Sequence, residues 1–206
     1  MKPSHLGRRW TAKDFKTDPV SCAKNLIGTT LLWDGCGGII VETEAYAQFG
    51  DEACHTFVRT QAREFVIKQP AGTIYTYLNY GVHWLFNVLT KSDTGNGFVL
   101  IRALHPTIGI NAMHQRRGRE RIKELCSGPG KLTQALGIGP ESHCTSIARR
   151  QPNESLRGIF NEKSNHQSSP ITVVSDKRIG ITKAADYPWR FLLAGSKFVS
   201  RPLSKH

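Results

Sequence analysis

The amino-acid sequence predicts one compact domain of the mixed α/β (α+β) class, spanning residues 1–206. Its length and its 39% hydrophobic content are enough for one substantial core but short for two independently stable domains. Several short runs of β-branched and aromatic residues are typical of strands, and two later segments have helical patterns. Together these three observations favour a sheet combined with helices.

The strands are predicted from their composition and from the turn residues that separate them. The predicted segments are residues 29–33, 38–44, 72–89 and 97–103. Turn residues at 34–37 join the first two strands. The aromatic run is interrupted at Asn79, Tyr80 and Gly81, which predicts a hairpin with Tyr80 at its tip.

Two helices are predicted in the second half of the chain. Residues 106–125 form a strongly basic helical pattern, whose buried side consists of Ile110, Met113, Ile122 and Leu125. Ser127-Gly128-Pro129 opens a second helix, with Ser127 as its cap and Gly137 as its stop after Leu136. Its N-terminus, assisted by Lys131, is a predicted phosphate site. Residues 139–170 are polar and are predicted to be loops with one short ordered piece.

The charge of the chain points to a polyanionic partner. There are 28 Lys and Arg against 16 Asp and Glu, a net charge of +12. No stretch approaches the roughly 20 apolar residues that span a bilayer, and residues 1–10 lack a secretory apolar region. The five cysteines are odd in number and include no Cys-x-x-Cys pair, which predicts a reducing, intracellular compartment.

A pair of glutamates is the first candidate for chemistry. Strand alternation over residues 39–46 places on one face Ile40, Glu42, Glu44 and Tyr46. The Cα atoms of the two glutamates are then roughly 7 Å apart. A solvated strand face explains two such carboxylates on their own, but Asp51 and His55 follow closely. Folding of the intervening loop over the strand end would bring these groups together.

Arg102 and Tyr80 are further candidates. Arg102 lies in an apolar strand, where a buried guanidinium needs a carboxylate partner, so a structural ion pair and a functional role are both open. Most aromatic runs such as the one before Tyr80 simply pack a core. However, an exposed aromatic at a hairpin tip beside a cationic surface can act as a wedge between base pairs.

The order and spacing of six motifs closely resemble the alkyladenine (3-methyladenine) DNA glycosylase family. These motifs are Val41-Glu42-Thr43-Glu44-Ala45-Tyr46, Asp51-Glu52-Ala53-x-His55, Gly72-Thr73-x-Tyr75-x-Tyr77-x-x-Tyr80-Gly81, Asn87, Leu100-x-Arg102-Ala103-Leu104 and Glu124-Leu125-Cys126-Ser127-Gly128-Pro129-x-Lys131-Leu132. The resemblance covers roughly residues 15–138 and resumes near 178–201. It implies a curved antiparallel sheet bordered by helices, with the Tyr80 hairpin projecting from it.

The resemblance also implies an activity. Enzymes of this family flip an alkylated or deaminated purine out of duplex DNA and hydrolyse its N-glycosidic bond, leaving an abasic site. The implied substrates are 3-methyladenine, 7-methylguanine, hypoxanthine and ethenoadenine. The implied partner is double-stranded DNA that contains damaged purines, with no membrane, no metal and no cofactor. We expect a monomer inside the cell, in the cytoplasm and nucleoid or in the nucleus.

Individual roles follow from the same matching. The catalytic glutamate falls on Glu44, which would deprotonate a water behind the sugar carbon, and Arg102 would help fix that water and a nearby phosphate. The residues matching the base pocket are Tyr46, His55, Tyr77 and Asn87. Asn87 would exclude guanine because its N2 amino group has no room there. Tyr80 would enter the minor groove. The DNA-backbone contacts fall on Arg63 and Lys131.

Some features depart from the family pattern. Arg63-Glu64 and Ile67-Lys68 replace an Arg-Asn pair and an apolar pair, and Glu64 near phosphates would weaken DNA binding. The loop 90–96 carries extra residues, and the segment 139–170 matches poorly. Two other function classes stay open from the residues alone: a non-catalytic nucleic-acid-binding module, and a metal-dependent nuclease built on Glu42, Glu44, Asp51 and His55.

Overall fold

The computed structural model describes residues 6–149, 156–162 and 171–204. Nine strands in these residues form one sheet: β1 (Leu6–Arg9), β2 (Thr30–Trp33), β3 (Cys36–Ala47), β4 (Ile74–Asn79), β5 (His83–Thr90), β6 (Gly97–Ile108), β7 (Gly158–Glu162), β8 (Val173–Asp176) and β9 (Arg190–Leu193). Five α-helices accompany them: α1 (Pro19–Leu26), α2 (His55–Val58), α3 (Thr60–Lys68), α4 (Ile110–Arg117) and α5 (Pro129–Leu136). The predicted fold class is confirmed.

The long strand β3 organises the sheet. The strand order is β1-β7-β2-β3-β6-β5-β4, and every pairing among these strands is antiparallel. One edge of β3 pairs with β6, while the other pairs first with β2 and then, at Glu42–Glu44, with β9. The register with β6 shifts on either side of Glu42. Ile40, predicted to share a face with the glutamates, belongs instead to the main apolar core.

Two apolar clusters support the site. The main core packs sheet residues such as Phe86 against α1 and α5, and the Thr43 hydroxyl donates to the Ala23 carbonyl at 2.9 Å. A smaller cluster lies beside α3 and consists of Cys54, Ala62, Phe65, Val66, Tyr75, Leu89 and Phe98. Each fully buried large apolar side chain contributes about 1.5–3 kcal/mol. Tyr46 and Tyr77 pack at the partly exposed rim of this second cluster.

The predicted hairpin is confirmed. Strands β4 and β5 pair from Ile74–Val88 to Asn79–His83, and the Val82 amide donates to the Asn79 carbonyl at 3.1 Å. Both central turn residues have positive φ, +50° at Tyr80 and +68° at Gly81. This is the combination of a type I′ turn, which matches the twist of paired strands. Tyr80 is 89% exposed at the tip.

The prediction of one long basic helix over residues 106–125 is wrong. Strand β6 continues to Ile108, because β3 offers pairing partners as far as Gly37. Helix α4 begins only after Gly109 and ends at Gly118, and both glycines have positive φ. A short 3-10 helix follows at Ile122–Glu124, and Ile122, predicted to be buried, is 38% exposed. Met113 and Leu125 are buried, as predicted.

The start of α5 also differs from the prediction. The residue at the cap position is Gly128, and Ser127 instead forms an isolated bridge with Ala103 of β6. Gly137 ends the helix in the left-handed conformation, as predicted. The described part of 139–170 contains two ordered pieces, a 3-10 helix at Pro140–Ser142 and strand β7, where one was predicted. Residues 150–155 and 163–170 lie outside the described residues.

Two further properties bear on the sequence predictions. Among the described helices, none has both the length and the apolar character needed to cross a bilayer. All five cysteines carry free thiols, and Cys144 alone among them is exposed.

Candidate active site

Two buried glutamates of β3 share one arginine of β6. Glu44 Oε2 accepts hydrogen bonds from the Tyr46 hydroxyl at 2.8 Å and from Arg102 Nη1 at 3.0 Å, while Oε1 accepts from the Ile179 amide at 2.7 Å. Arg102 Nε donates to Glu42 Oε1 at 3.0 Å. Both glutamates are completely buried. The antiparallel pairing of β3 with β6 places the arginine between the two carboxylates.

Glu42 belongs to a larger buried network. Its Oε1 also accepts hydrogen bonds from Arg190 Nε at 2.8 Å and from the Ser200 hydroxyl at 2.7 Å. Arg190 in turn donates to Asp176 at 3.1 Å. Glu42 is therefore compensated by two arginines, Arg102 and Arg190. Removing one member of a buried pair costs about 3–5 kcal/mol, so the network fixes its members in place.

The charges of this network perturb two of its members. Burial alone would lower the pKa of Arg102, but the nearby charges of Glu44 and Glu42 outweigh it and raise that pKa above its ordinary value. Burial, with the charge of Glu44, raises the pKa of Tyr46 well above its ordinary value. Tyr46 therefore stays a neutral hydrogen-bond donor to Glu44 at physiological pH.

A cavity of about 160 Å³ lies next to the buried glutamate. Its lining residues are Tyr46, Ala53, His55, Tyr75, Tyr77, Asn79, Asn87, Phe98, Gly180 and Ile181. Glu44 is fully buried behind this wall. It meets the cavity through the Tyr46 hydroxyl and through Ile179, whose neighbours Gly180 and Ile181 form part of the lining.

The aromatic wall of the cavity is uncharged at neutral pH. His55 Nδ1 lies 3.1 Å from the Tyr75 hydroxyl, and the His55 ring centroid lies 4.3 Å from that of Tyr77. Burial, with the charge of Arg59, lowers the pKa of His55 to about 4. Burial raises the pKa of Tyr77 to about 12. Neither group carries a charge near pH 7.

Asn87 lies opposite Tyr75 in the hairpin pairing and faces the same cavity. Its Nδ2 donates to the Tyr75 carbonyl at 3.1 Å, so the amide is oriented by the backbone. The four predicted pocket residues therefore line one cavity. The sequence did not predict the other six lining residues, which are Ala53, Tyr75, Asn79, Phe98, Gly180 and Ile181. Tyr75 could have been found from its motif, whereas Phe98 reads as an ordinary strand residue.

Segment 178–181 closes another side of the site. Arg178 forms a bidentate pair with Asp51, at 2.6 and 2.8 Å, and both side chains are completely buried. Its guanidinium also donates to the carbonyls of Ala45 and Ala184. Sequence reasoning missed this pair, because nothing in the local pattern links positions 127 residues apart.

The four residues of the nuclease alternative are committed to other partners. The two glutamates share Arg102, Asp51 pairs with Arg178, and the His55 ring contacts Tyr75. Within the described ranges no group of three or more His, Cys, Asp or Glu is placed to hold a metal ion.

The three residues predicted to contact DNA, which are Tyr80, Arg63 and Lys131, are exposed. Tyr80 follows Asn79, a lining residue, so the hairpin tip projects beside the cavity mouth. Arg63 is exposed and donates to the Thr56 carbonyl at 3.0 Å. Lys131 is exposed in the first turn of α5.

The unusual residues of α3 neutralise each other. Glu64 and Lys68 form an exposed ion pair one helical turn apart, at 2.7 Å. The hydrogen bond from Lys68 lowers the pKa of Glu64. The negative charge expected to repel phosphates therefore has a cation beside it.

Comparison with known proteins supplies the family. The family model for "Methylpurine-DNA glycosylase (MPG)" matches residues 13–197. A protein of Rhodopseudomonas palustris (strain HaA2) is 44% identical over 200 residues, covering 97% of this chain and 94% of the relative. One of Nitrobacter winogradskyi is 45% identical over 200 residues, covering 97% and 91%. Both are named "Putative 3-methyladenine DNA glycosylase". The chain therefore belongs to the methylpurine-DNA glycosylase family, and the predicted enzyme class, a DNA glycosylase that hydrolyses N-glycosyl bonds, is confirmed.

Proposed function

We propose that the enzyme excises 3-methyladenine, 7-methylguanine, hypoxanthine and ethenoadenine from duplex DNA. It flips the damaged nucleotide into the aromatic cavity, hydrolyses the glycosidic bond with a water activated by Glu44, and leaves an abasic site. One observation carries this proposal: the buried Glu44 carboxylate accepts a hydrogen bond from the hydroxyl of Tyr46, a cavity residue. The direct hydrolysis requires neither a Schiff base nor a cofactor.

Glu44 has the hydrogen-bonding capacity to bind a water. An ionised carboxylate accepts about four hydrogen bonds, and the described residues supply three, from Tyr46, Arg102 and Ile179. Oε1 receives only the Ile179 amide among these, so this oxygen is the proposed acceptor of the water proton. As the base departs, the sugar gains oxocarbenium character, which the carboxylate stabilises while it activates the water.

Arg102 is proposed to keep this carboxylate ionised and oriented. Arg102 is 7% exposed, and its guanidinium is already held by Glu42 and Glu44, with the Ser200 hydroxyl 3.5 Å from Nη2. A guanidinium held on both sides by carboxylates is suited to fixing Glu44 and the water. We therefore assign Arg102 to this task ahead of a phosphate contact.

The aromatic cavity suits an alkylated purine for electrostatic reasons. A purine alkylated at N3 or N7 carries positive charge, which aromatic faces attract by stacking and cation–π interaction. His55 would repel such a base if it were protonated, but burial keeps its pKa at about 4. Tyr46, His55 and Tyr77 are therefore proposed to enclose the base. Asn87, fixed by the Tyr75 carbonyl, is proposed to exclude the N2 amino group of guanine.

The basic surface is proposed to bind the DNA backbone. Arg63 and Lys131 would contact phosphates, and Tyr80 would fill the gap left by the flipped nucleotide. The proposed partner is double-stranded DNA that contains damaged purines, bound by a monomer of the enzyme inside the cell.

The substitution Glu44→Gln tests the catalytic assignment. It keeps the shape of the side chain but removes the base, so we expect single-turnover release of the damaged base to fall about 100-fold or more. Binding to a duplex with a tetrahydrofuran abasic analogue is expected to stay unchanged. The assay uses duplexes with a single hypoxanthine, ethenoadenine or 7-methylguanine and identifies the released base.

Two controls accompany this assay. Glu64→Gln removes an exposed carboxylate and is expected to leave the rate near that of the parent. Activity in EDTA, with strand breaks only after hot alkali, is the expected behaviour of a glycosylase and not of a metal-dependent nuclease. Equal single-turnover rates for Glu44→Gln and the parent would refute the role of Glu44.

A further inference from the structure

The Arg178 guanidinium joins three segments of the chain. Nη1 donates to the Ala45 carbonyl of β3 at 2.9 Å and to Asp51 at 2.6 Å. Nη2 donates to the other oxygen of Asp51 at 2.8 Å and to the Ala184 carbonyl at 3.0 Å. Four oxygens from three separate segments therefore converge on one planar group.

Two aromatic rings flank this group. The Arg178 guanidinium lies 4.7 Å from the ring centroid of Tyr46 and 5.2 Å from that of Trp189. Tyr46 is the residue whose hydroxyl donates to Glu44. The guanidinium thus supports the ring that connects the buried carboxylate with the cavity.

The segments that contain Arg178 and Asp51 each supply part of the site. After Arg178, the next amide is that of Ile179, which donates to Glu44 at 2.7 Å, and Gly180 and Ile181 then line the cavity. On the other side, Asp51 accepts a hydrogen bond from the amide of Ala53, another lining residue. The Arg178–Asp51 pair therefore connects the donor to Glu44 with two walls of the cavity.

We propose that Arg178 is a positioning residue for base excision. Its bidentate pair with Asp51 keeps the Ile179 amide hydrogen-bonded to Glu44 and keeps the cavity walls in contact with the flipped base. This inference rests on the proposed function. A planar guanidinium is required, because a lysine ammonium cannot bind both carboxylate oxygens, two carbonyls and two ring faces in fixed directions. A displacement of about 1 Å at such a site can lower a rate by about 100-fold.

The test compares two Arg→Lys variants. Arg178→Lys keeps the positive charge but removes the planar guanidinium that donates two hydrogen bonds to Asp51. Arg157→Lys is the matched control: Arg157 also pairs with an aspartate through two contacts, 2.8 and 2.7 Å to Asp34, and lies 4.2 Å from the Trp33 ring. That pair lies at the β2–β3 turn, at the opposite end of β3 from Glu44. Both variants are assayed for single-turnover excision at saturating enzyme and for binding to the abasic-analogue duplex.

We expect Arg178→Lys to lower the single-turnover rate roughly 10- to 100-fold with unchanged binding of the abasic-analogue duplex, while Arg157→Lys stays near the parent in both. Equal rate losses in the two variants, or rate and binding falling together, would mean a merely structural role and overturn the proposal. Should Arg178→Lys fail to fold, Asp51→Asn is assayed for the same split between rate and binding. If Glu44→Gln is inactive while the folded Arg178 or Asp51 variant matches the parent, this inference alone fails; an active Glu44→Gln refutes the proposed function instead.

Discussion

His55 illustrates how burial sets the charge of the cavity. Its pKa of about 4 lies below the ordinary value of 6.5, so the unfolded chain binds a proton in a range where the folded protein does not. Stability from this group is therefore complete above about pH 6.5 and is lost as the pH falls towards 4. The same burial that suits a cationic base thus makes the fold sensitive to acid.

This linkage gives a measurable prediction. Between pH 7 and pH 5 the parent should lose roughly 1–2 kcal/mol more unfolding free energy than His55→Gln, after allowance for the partial exposure of the ring. Urea unfolding of both proteins at the two pH values measures this difference, and the other histidines cancel in the comparison. Identical pH dependence in the two proteins would contradict a neutral His55.

Asn87 gives a second prediction at the level of a single residue. Asn87→Ala opens space where the N2 amino group of guanine is proposed to clash, so we expect this variant, unlike the parent, to release undamaged guanine slowly. Loss of the hydrogen bond to the Tyr75 carbonyl should cost about 1 kcal/mol of stability. The measurement is guanine released from undamaged duplex. Asn96→Ala, in a loop that lines a different cavity, is the control; equal release by both variants would argue against the filter.

At the scale of single residues, the motifs predicted four residues of the cavity wall but not the contacts of segment 178–181 that close the cavity. The family resemblance implies that Tyr46 and Tyr77 belong to the pocket, whereas strand alternation alone places Tyr46 on the face of the glutamates and Tyr77 on the face of Tyr75. Ile179 contributes only its backbone amide to Glu44, and a backbone donor leaves no mark on residue type. Arg178 and Asp51 meet only in the folded chain, so neither position indicates its partner.

The hairpin is the element whose function depends most on its shape. Tyr80 occupies the left-handed region, which is uncommon for a residue other than glycine, and it is held there by the paired strands β4 and β5. The turn therefore presents one aromatic ring outside the sheet. The proposed insertion of Tyr80 into DNA would use this exposed placement.

We expect Tyr80→Ala to impair flipping and to leave the glycosidic chemistry intact. Loss of stacking on a base corresponds to roughly 1–3 kcal/mol, or about 5- to 150-fold in the flipping equilibrium. The fluorescence of 2-aminopurine placed beside the lesion measures this equilibrium. Phe49→Ala is the control, since Phe49 is 68% exposed and lies outside the cavity lining. Unchanged flipping in Tyr80→Ala would exclude the wedge.

Sequence patterns predicted some elements and concealed others. The strands β2, β3 and β6 were recognised because apolar and β-branched residues dominate them, although β3 and β6 are longer than expected. Strand β9 was missed because it begins at Arg190, a residue typical of surfaces. Its guanidinium is buried only because Glu42 and Asp176 neutralise it, and that compensation comes from distant positions.

On the scale of the whole molecule, the buried acids and arginines compensate each other, so the positive charge of the chain comes from its other residues. Among the residues that the structure describes, the buried acids are Glu42, Glu44, Asp51 and Asp176, and the buried arginines are Arg102, Arg178 and Arg190. The interior thus takes up slightly more negative than positive charge. The positive excess of the chain, +12 in total, therefore comes from residues outside this buried set, where it can meet phosphates.

Binding of DNA is therefore expected to depend strongly on salt, whereas chemistry is not. Neutralising about six phosphates would weaken binding about 1,000-fold between 50 and 200 mM salt. Fluorescence anisotropy with the abasic-analogue duplex measures this slope. Single-turnover rates at saturating enzyme should stay constant over the same range, because Glu44 and Arg102 are buried from counterions. A flat binding curve would contradict a phosphate-based interface.

The network around Glu42 also has a consequence for the order in which the enzyme matures on the ribosome. Arg190 is 148 positions later in the chain than Glu42, and the donor Ser200 is 158 later. At about 5–20 residues per second, translation delivers Glu42 roughly 7–30 seconds before Arg190 and Ser200. The nascent polypeptide thus carries Glu42 without two of its buried partners for most of its synthesis, and this network is among the last parts of the fold to be completed.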